Sequence, residues 1–227
     1  MIEYRLIRSK RKSIALIIEP DGRLLVRAPH NLHQSYVEAF VSEKSAWIQE
    51  KQALVGKMIE RCGRSPGAPR RFRAGETFWY LGRYYPLEIS AELSAPLVFD
   101  GTFRLARPVQ KQAALVFERW YKHQARQLLS QRLNELAAQH GFHYKSMRLS
   151  SARTRWGSCS SLSTISLNWR LVMAPPDVSD YVILHELAHL KEKNHSRRFW
   201  ELLASLKPDY AVQRQWLKTH GDCLAWP

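Results

Sequence analysis

The chain has 227 residues, 45% of them hydrophobic and 24% charged, and its 35 Lys and Arg against 20 Asp and Glu give a formal net charge of +15. That length allows one large domain or two small ones with ample core, and the composition is that of a folded globular protein. No apolar run approaches the roughly 20 residues of a spanning helix, and the Ile14–Ile18 run is too short for a secretory leader. A cytoplasmic location without a membrane partner is therefore the expectation.

Residues 2–8 and 13–19 read as two strands joined by a basic turn, Asp21-Gly22 as a further turn, and Leu24–Ala28 as a third strand. From Ser35 to Glu60, Val37, Phe40, Val41, Trp47, Ile48, Leu54, Val55 and Met58 recur at helical spacing and predict one long amphipathic helix. Residues 61–74, with two Gly, two Pro and several Arg, read as a loop or linker. Short strands follow at Phe78–Leu81, Tyr84–Ile89, Leu97–Phe99 and Phe103–Leu105, with Gly82-Arg83 and Asp100-Gly101 as hairpin turns. A second long helix begins after Pro108 and runs to Gln139, where His140-Gly141 stops it. Ser146–Ser150 and Thr164–Asn168 are strand-like and flank a Trp-Gly-Ser-Cys-Ser loop; helices then cover the region of His185, Arg197–Leu206 and the stretch after Pro208. The order predicts an α+β protein: a β-rich N-terminal region over 1–106 carrying one long helix, and a catalytic region over 107–227.

The chemistry is concentrated at His185-Glu186-Leu187-Ala188-His189. An α-helix turns about 100° per residue, so two imidazoles four positions apart stand on one face and reach a common metal, with Glu186 beside them. Two ligands hold a metal weakly, whereas catalytic zinc sites have three protein ligands and a water. His195, six residues after His189, supplies the third. That assignment requires the helix to break, because an unbroken helix would carry His195 about 240° round from His189. Asn tolerates the left-handed conformation that ends helices, so the helix is expected to stop near Lys193 and to reverse at Asn194. Glu201 is the rival third ligand. Pro175-Pro176 breaks the preceding segment, and Asp177 or Ser179 is placed to cap the helix start.

The chemistry so described is peptide-bond hydrolysis by a zinc-activated water, with Glu186 as general base. Candidate donors to the substrate and the developing oxyanion are Arg153, Arg155, Asn168 and Tyr181. Ile165–Asn168 reads as an edge strand on which a peptide can align. Trp156 and Trp169 suit core or cleft walls, and Cys159 a packing thiol rather than a nucleophile.

The charge points to partners rather than fold. Lys57, Arg61, Arg64, Arg70, Arg71 and Arg73 face only Glu60, and Arg8, Lys10, Arg11 and Lys12 form a second cluster. Phe72, Phe78, Trp79 and Tyr80 suit either base stacking or the core face of a strand. The alternative function is a basic nucleic-acid-associated protein that uses the zinc fold as scaffold, or a protease directed to nucleoprotein.

Arg155-Trp156-Gly157-Ser158-Cys159-Ser160, Ile165-Ser166-Leu167-Asn168-Trp169, Tyr181-Val182 through His185-Glu186-Leu187-Ala188-His189-Leu190, Asn194-His195-Ser196 and Phe199-Trp200 together resemble the YgjP-like metallopeptidase family of bacteria, most specifically over 153–200. The resemblance implies a zincin-like domain, with an active-site helix packed against a small antiparallel sheet and the third ligand supplied after the helix. It implies kinship with SprT-like and WLM proteases, Zn2+ as cofactor, a protein or peptide substrate, and family roles for His185, Glu186, His189 and His195.

Overall fold

Apolar residues in the first thirty positions build a small sheet from β1 (Tyr4–Ser9), β2 (Ala15–Ile18) and β3 (Leu24–Pro29), in the order β1-β3-β2. β3 is central, parallel to β1 and antiparallel to β2, and its Leu24, Leu25, Val26 and Ala28 are buried. The computed structural model describes residues 2–63 and 70–226. The helix expected over 35–60 is two, α1 (Gln34–Glu43) and α2 (Ser45–Cys62), broken at Lys44 (φ −91°, ψ 12°). Val37 and Val41 of α1 and Ile48 of α2 form one core cluster with Leu24, Val26 and Ala28. A one-residue break leaves the apolar spacing intact on either side, so periodicity does not reveal it. Arg8 is spent on the fold: its Nη1 donates to the carbonyls of Pro29, His30 and Leu32 at 3.2, 3.2 and 2.6 Å.

The chain divides into two compact units at 69/70, Met1–Pro69 and Arg70–Pro227, and not at the expected 106/107. The reason is aromatic packing. β4 (Thr77–Tyr80), β5 (Arg83–Ser90), β6 (Leu97–Phe99) and β7 (Phe103–Ala106) form a sheet in the order β4-β5-β7-β6. A 3-10 turn, Arg107–Gln112, leads from it into α3 (Ala113–Gln139). α3 buries Ala113, Phe117, Tyr121, Ala125, Leu129 and Leu133, one position per turn. Phe78 of β4 stacks on Phe117 with ring centroids 4.3 Å apart, and Phe103 of β7 lies 5.2 Å from Phe117. The Tyr121 hydroxyl donates to the Trp79 carbonyl at 2.6 Å, so the strands of residues 77–106 belong to the second unit's core.

The hairpin between β4 and β5 also braces the segment that leads into the histidine-bearing helix. Leu81 (φ 49°) and Gly82 (φ 79°) both take positive φ, as a tight two-residue turn demands. Their amides donate to Val172 and Met173 carbonyls, each at 2.9 Å. A Cβ on Gly82 would meet Pro175 Cα at 2.8 Å, immediately before that helix. Gly82→Ala is therefore expected to lower the stability of the second unit by about 2 kcal/mol, read as a fall in thermal midpoint; an unchanged midpoint would show that this contact carries no strain.

β8 (Ser146–Ser150), β9 (Gly157–Cys159) and β10 (Thr164–Asn168) form a third sheet in the order β8-β10-β9. β10 runs parallel to β8 and antiparallel to β9, so the sheet is mixed rather than purely antiparallel. The edge reading of Ile165–Asn168 is corrected: β10 is the central strand, with Ile165 and Leu167 fully buried, and the edges are β8 and β9, the latter inside the Trp-Gly-Ser-Cys segment. A three-residue strand is too short for alternation to mark it. After the 3-10 turn Trp169–Met173 come α4 (Pro176–Ala188), α5 (Arg197–Leu206) and α6 (Tyr210–His220). Arg132 of α3 grips Asp180 of α4 through two bonds of 2.7 and 2.8 Å.

Candidate metal centre

α4 carries the first two histidines. Pro175 is extended (φ −53°, ψ 143°) and precedes Pro176 at the first helical position, where a missing N–H costs nothing. No side chain caps the helix, contrary to expectation: Asp177 sits in the first turn, favourable to the dipole, and Ser179 Oγ instead donates to the Leu171 carbonyl at 3.0 Å. Val178, Val182, Ile183, Leu184, Leu187 and Ala188 are buried, so the helix is held from several sides.

The chain does reverse between His189 and His195, but earlier than expected. α4 stops at Ala188; Leu190 and Lys191 amides close tight turns on the Leu187 and Ala188 carbonyls, and Glu192 N returns to Ala188 O at 2.9 Å. Among the described residues, positive φ outside glycine occurs at Phe72, Leu81 and Ser163, so Asn194 is not left-handed. A tightened last turn satisfies the end carbonyls and makes the left-handed residue unnecessary. Ser196 then caps α5 by accepting from Phe199 N.

The result is a cluster of three imidazoles. His185, His189 and His195 each offer a nitrogen, and these nitrogens all lie within 4.8 Å of one another. His185 Nε2 and His195 Nε2 are 2.9 Å apart. Around one ion with metal–nitrogen bonds of about 2.0–2.1 Å, tetrahedral ligands stand about 3.3 Å apart, so the cluster needs only small side-chain rotations. His189 Nδ1 lies 3.0 Å from the Glu192 carbonyl, which can only accept; the proton is therefore on Nδ1 and the Nε2 lone pair is free. Burial pushes the His185 pKa down to about 3, and burial lowers His189 likewise; both rings are held neutral, the form that binds metal. His185 Nδ1 is buried with no hydrogen-bond partner. The donor set fits a metal ion. Glu201 does not join it, being paired with Arg197 at 2.7 Å on the surface of α5.

One phenyl ring backs all three imidazoles. Phe199 is fully buried, with its centroid 4.9, 4.6 and 4.7 Å from His185, His189 and His195. Trp200 stacks on His195 at 5.6 Å, Tyr210 stacks on Trp200, and the Arg214 guanidinium lies over Trp200 at 4.9 Å. Glu186 is 5% exposed, and burial pushes its carboxyl up to about 8 against the pull of Arg155. It packs on Gly157 of β9: a Cβ there would fall 2.4 Å from Glu186 Oε1 and 2.6 Å from its Cγ.

The four candidate substrate residues separate. Tyr181, one turn before His185 and 5.8 Å from it ring to ring, lines a cavity of about 330 Å3 with Trp156, His185, Glu186 and Arg214. Arg153 and Arg155 are exposed and line a neighbouring cavity of about 520 Å3. Asn168 lines that same cavity but is buried, and its side chain is engaged: its amide donates to the Ala152 and Arg155 carbonyls at 2.8 and 3.1 Å, and its Oδ1 accepts from Arg170 N. It fixes the loop that carries the arginines. Cys159 is a half-buried free thiol whose pKa burial pushes up, the reverse of an activated nucleophile. Trp169 is core, and Trp156 walls both cavities. Phe72, Phe78, Trp79 and Tyr80 are all buried, which removes them as stacking surfaces. Arg64 lies outside the described residues, and Arg70 sits over the Phe78 ring at 4.5 Å with its side chain 3% exposed. No helix among the described residues is long and apolar enough to cross a membrane.

Sequence reasoning missed Gly157 and Arg214 as parts of the site. A lone glycine inside a strand is a signal of close approach; Arg214, far along the chain on α6, carries no local signal.

A helix-borne histidine pair, a buried glutamate between them in sequence and a third histidine returned by a tight turn define a metal-dependent hydrolase of the metallopeptidase class. The sequence signature of the family described as YgjP-like, metallopeptidase domain, matches residues 12–220, and the chain belongs to that family. A protein of Escherichia coli (strain K12) described as UTP pyrophosphatase is 43% identical over 37 residues, which is 16% of this chain and 22% of that one. The chain thus matches less than a quarter of that relative's length. The zymogen of the metallopeptidase jannalysin from Methanocaldococcus jannaschii is 23% identical, with a TM-score of 0.35 over 38% of this chain and 90% of its own. The zymogen of abylysin from Pyrococcus abyssi is also 23% identical, with a TM-score of 0.36 over 40% and 93%.

Proposed function

We propose that the protein is a zinc-dependent peptidase. The observation that carries this reading is the cluster of three imidazoles with nitrogens within 4.8 Å of one another beside a buried carboxyl. Three imidazoles and an open position suit Zn2+. Zinc supplies Lewis acidity at such a site, acidifying water and polarising a carbonyl. His185, His189 and His195 would hold the ion. Glu186 takes the proton from the attacking water and passes it to the leaving amine. The Tyr181 hydroxyl, in the same cavity, donates to the oxyanion.

β9 aligns the substrate. Asn168 N donates to Trp156 O and Ser160 N to Thr164 O, so in the antiparallel register alternate residues of β9 face β10. The main-chain groups of Gly157 and Cys159 then face the open edge, where an extended peptide can pair beside Glu186.

A second reading, phosphoanhydride hydrolysis at the same metal, draws on the 37-residue match to a protein described as UTP pyrophosphatase and on the cationic residues at the cavities. One experiment separates the two. Protein purified without added metal is expected to hold or take up about one zinc per chain, and to cleave a fluorogenic peptide library until a chelator removes it, with activity restored by zinc. Failure to bind zinc, or cleavage indifferent to chelation, would sink the peptidase reading. Release of pyrophosphate from UTP without peptide cleavage would select the second.

A further inference from the structure

We infer that the cationic cavities beside Glu186 select a peptide with an acidic side chain next to the scissile bond. This deepens the peptidase reading and rests on it. The cavity of about 330 Å3 lined by His185 and Glu186 is also lined by Arg214 and Lys218, one helical turn apart on α6. Trp156, Leu217 and Lys218 also line the adjoining cavity of about 520 Å3, where Arg153, Arg155 and Arg170 are added. Apart from Glu186, the one carboxylate in these linings is Asp222.

Several cations elsewhere in the second unit are spent on ion pairs. Arg104 is paired with Glu88 and Asp100, Lys122 with Glu118, Arg132 with Asp180 and Glu135, Arg197 with Glu201, and Lys207 with Asp177 and Asp209. Arg153, Arg155, Arg214 and Lys218 make no ion pair among the described residues. One of them is also held in place, the Arg214 guanidinium seated over the Trp200 ring. A pre-positioned guanidinium without a carboxylate rewards an incoming one, while an apolar side chain would strip water from the cations and return nothing. The cavity wall is shared with Glu186 and His185, so the anionic group it accepts belongs to a residue adjacent to the bond being cut.

The test is a pair of fluorogenic peptides that differ only in Glu or Gln beside the cleaved bond, offered to the zinc-loaded full chain. Wild type is expected to prefer the Glu peptide about tenfold in kcat/KM, with the preference shrinking as salt rises. Lys218→Glu should abolish or reverse the preference, and Lys218→Arg should keep it, with thermal unfolding confirming that both are folded. Lys218 is exposed, so neither change touches the core. Equal cleavage of the two peptides by wild type, or an undiminished preference in Lys218→Glu, overturns the inference and leaves the peptidase reading standing. Cleavage of no peptide by zinc-loaded protein overturns both. Hydrolysis of UTP that Lys218→Glu weakens, without peptide cleavage, assigns the cavity to phosphate and overturns the acidic side chain.

Discussion

Replacing Glu186 by Gln is expected to leave the metal in place and to lower kcat by about 10^3-fold, within the range for losing a general acid–base group. Gln keeps the volume and the planar shape, so the packing on Gly157 and the buried setting survive. It lacks the basic oxygen that accepts a proton. Burial disfavours the Glu186 carboxylate, and a metal cation bound at His185 in the next position would favour it again. Metal content, turnover on one fluorogenic peptide and thermal midpoint form the measurement. Near-normal turnover would remove Glu186 as the base, and loss of metal would make it a ligand instead.

Gly157→Ala is expected to cost about 10^2-fold in kcat with metal binding unchanged, the size of effect produced by moving a catalytic group about 1 Å. The added methyl would stand 2.4 to 2.8 Å from three atoms of Glu186, closer than any packed contact allows. β9 is tied to β10 by its register, and α4 is fixed by its buried faces, so the Glu186 side chain is the part that yields. The three imidazoles rest on Phe199, away from that contact, and keep their arrangement. Metal content together with kcat separates this outcome from general unfolding. Unimpaired turnover would show that Glu186 tolerates displacement, and lost metal would show that the strain spreads along α4.

Much of the site is legible in the sequence because its parts are close together in the chain. The four-residue spacing of His185 and His189 reports one helical face whatever surrounds it, and His195 comes within a few residues. β8 and β10 have the expected bounds, and the stop of α3 before Gly141 is likewise written in local turn chemistry, as is the β4–β5 hairpin, although its turn falls on Leu81-Gly82, one residue before the expected Gly82-Arg83. The hidden features depend on distant partners. The unit boundary arises from Phe78 and Phe103 packing on Phe117, which no local pattern states. The early end of α4 at Ala188 escapes sequence reasoning because Asn194 offers a plausible but unused terminator. Asn168 has the chemistry of a substrate donor, and only the folded loop shows that its amide is spent on bracing.

The three clustered histidines do not share one local stability. His185 and His189 lie in or at the end of a helix buried on several faces, whose amides are expected to exchange slowly with solvent. His195 is exposed, on a non-helical segment anchored by few backbone bonds between the α4 turn and the Ser196 cap. Binding free energy goes to whichever state the ion prefers, so an ion held by all three would show itself as slowed amide exchange across residues 190–196 while α4 itself barely changed.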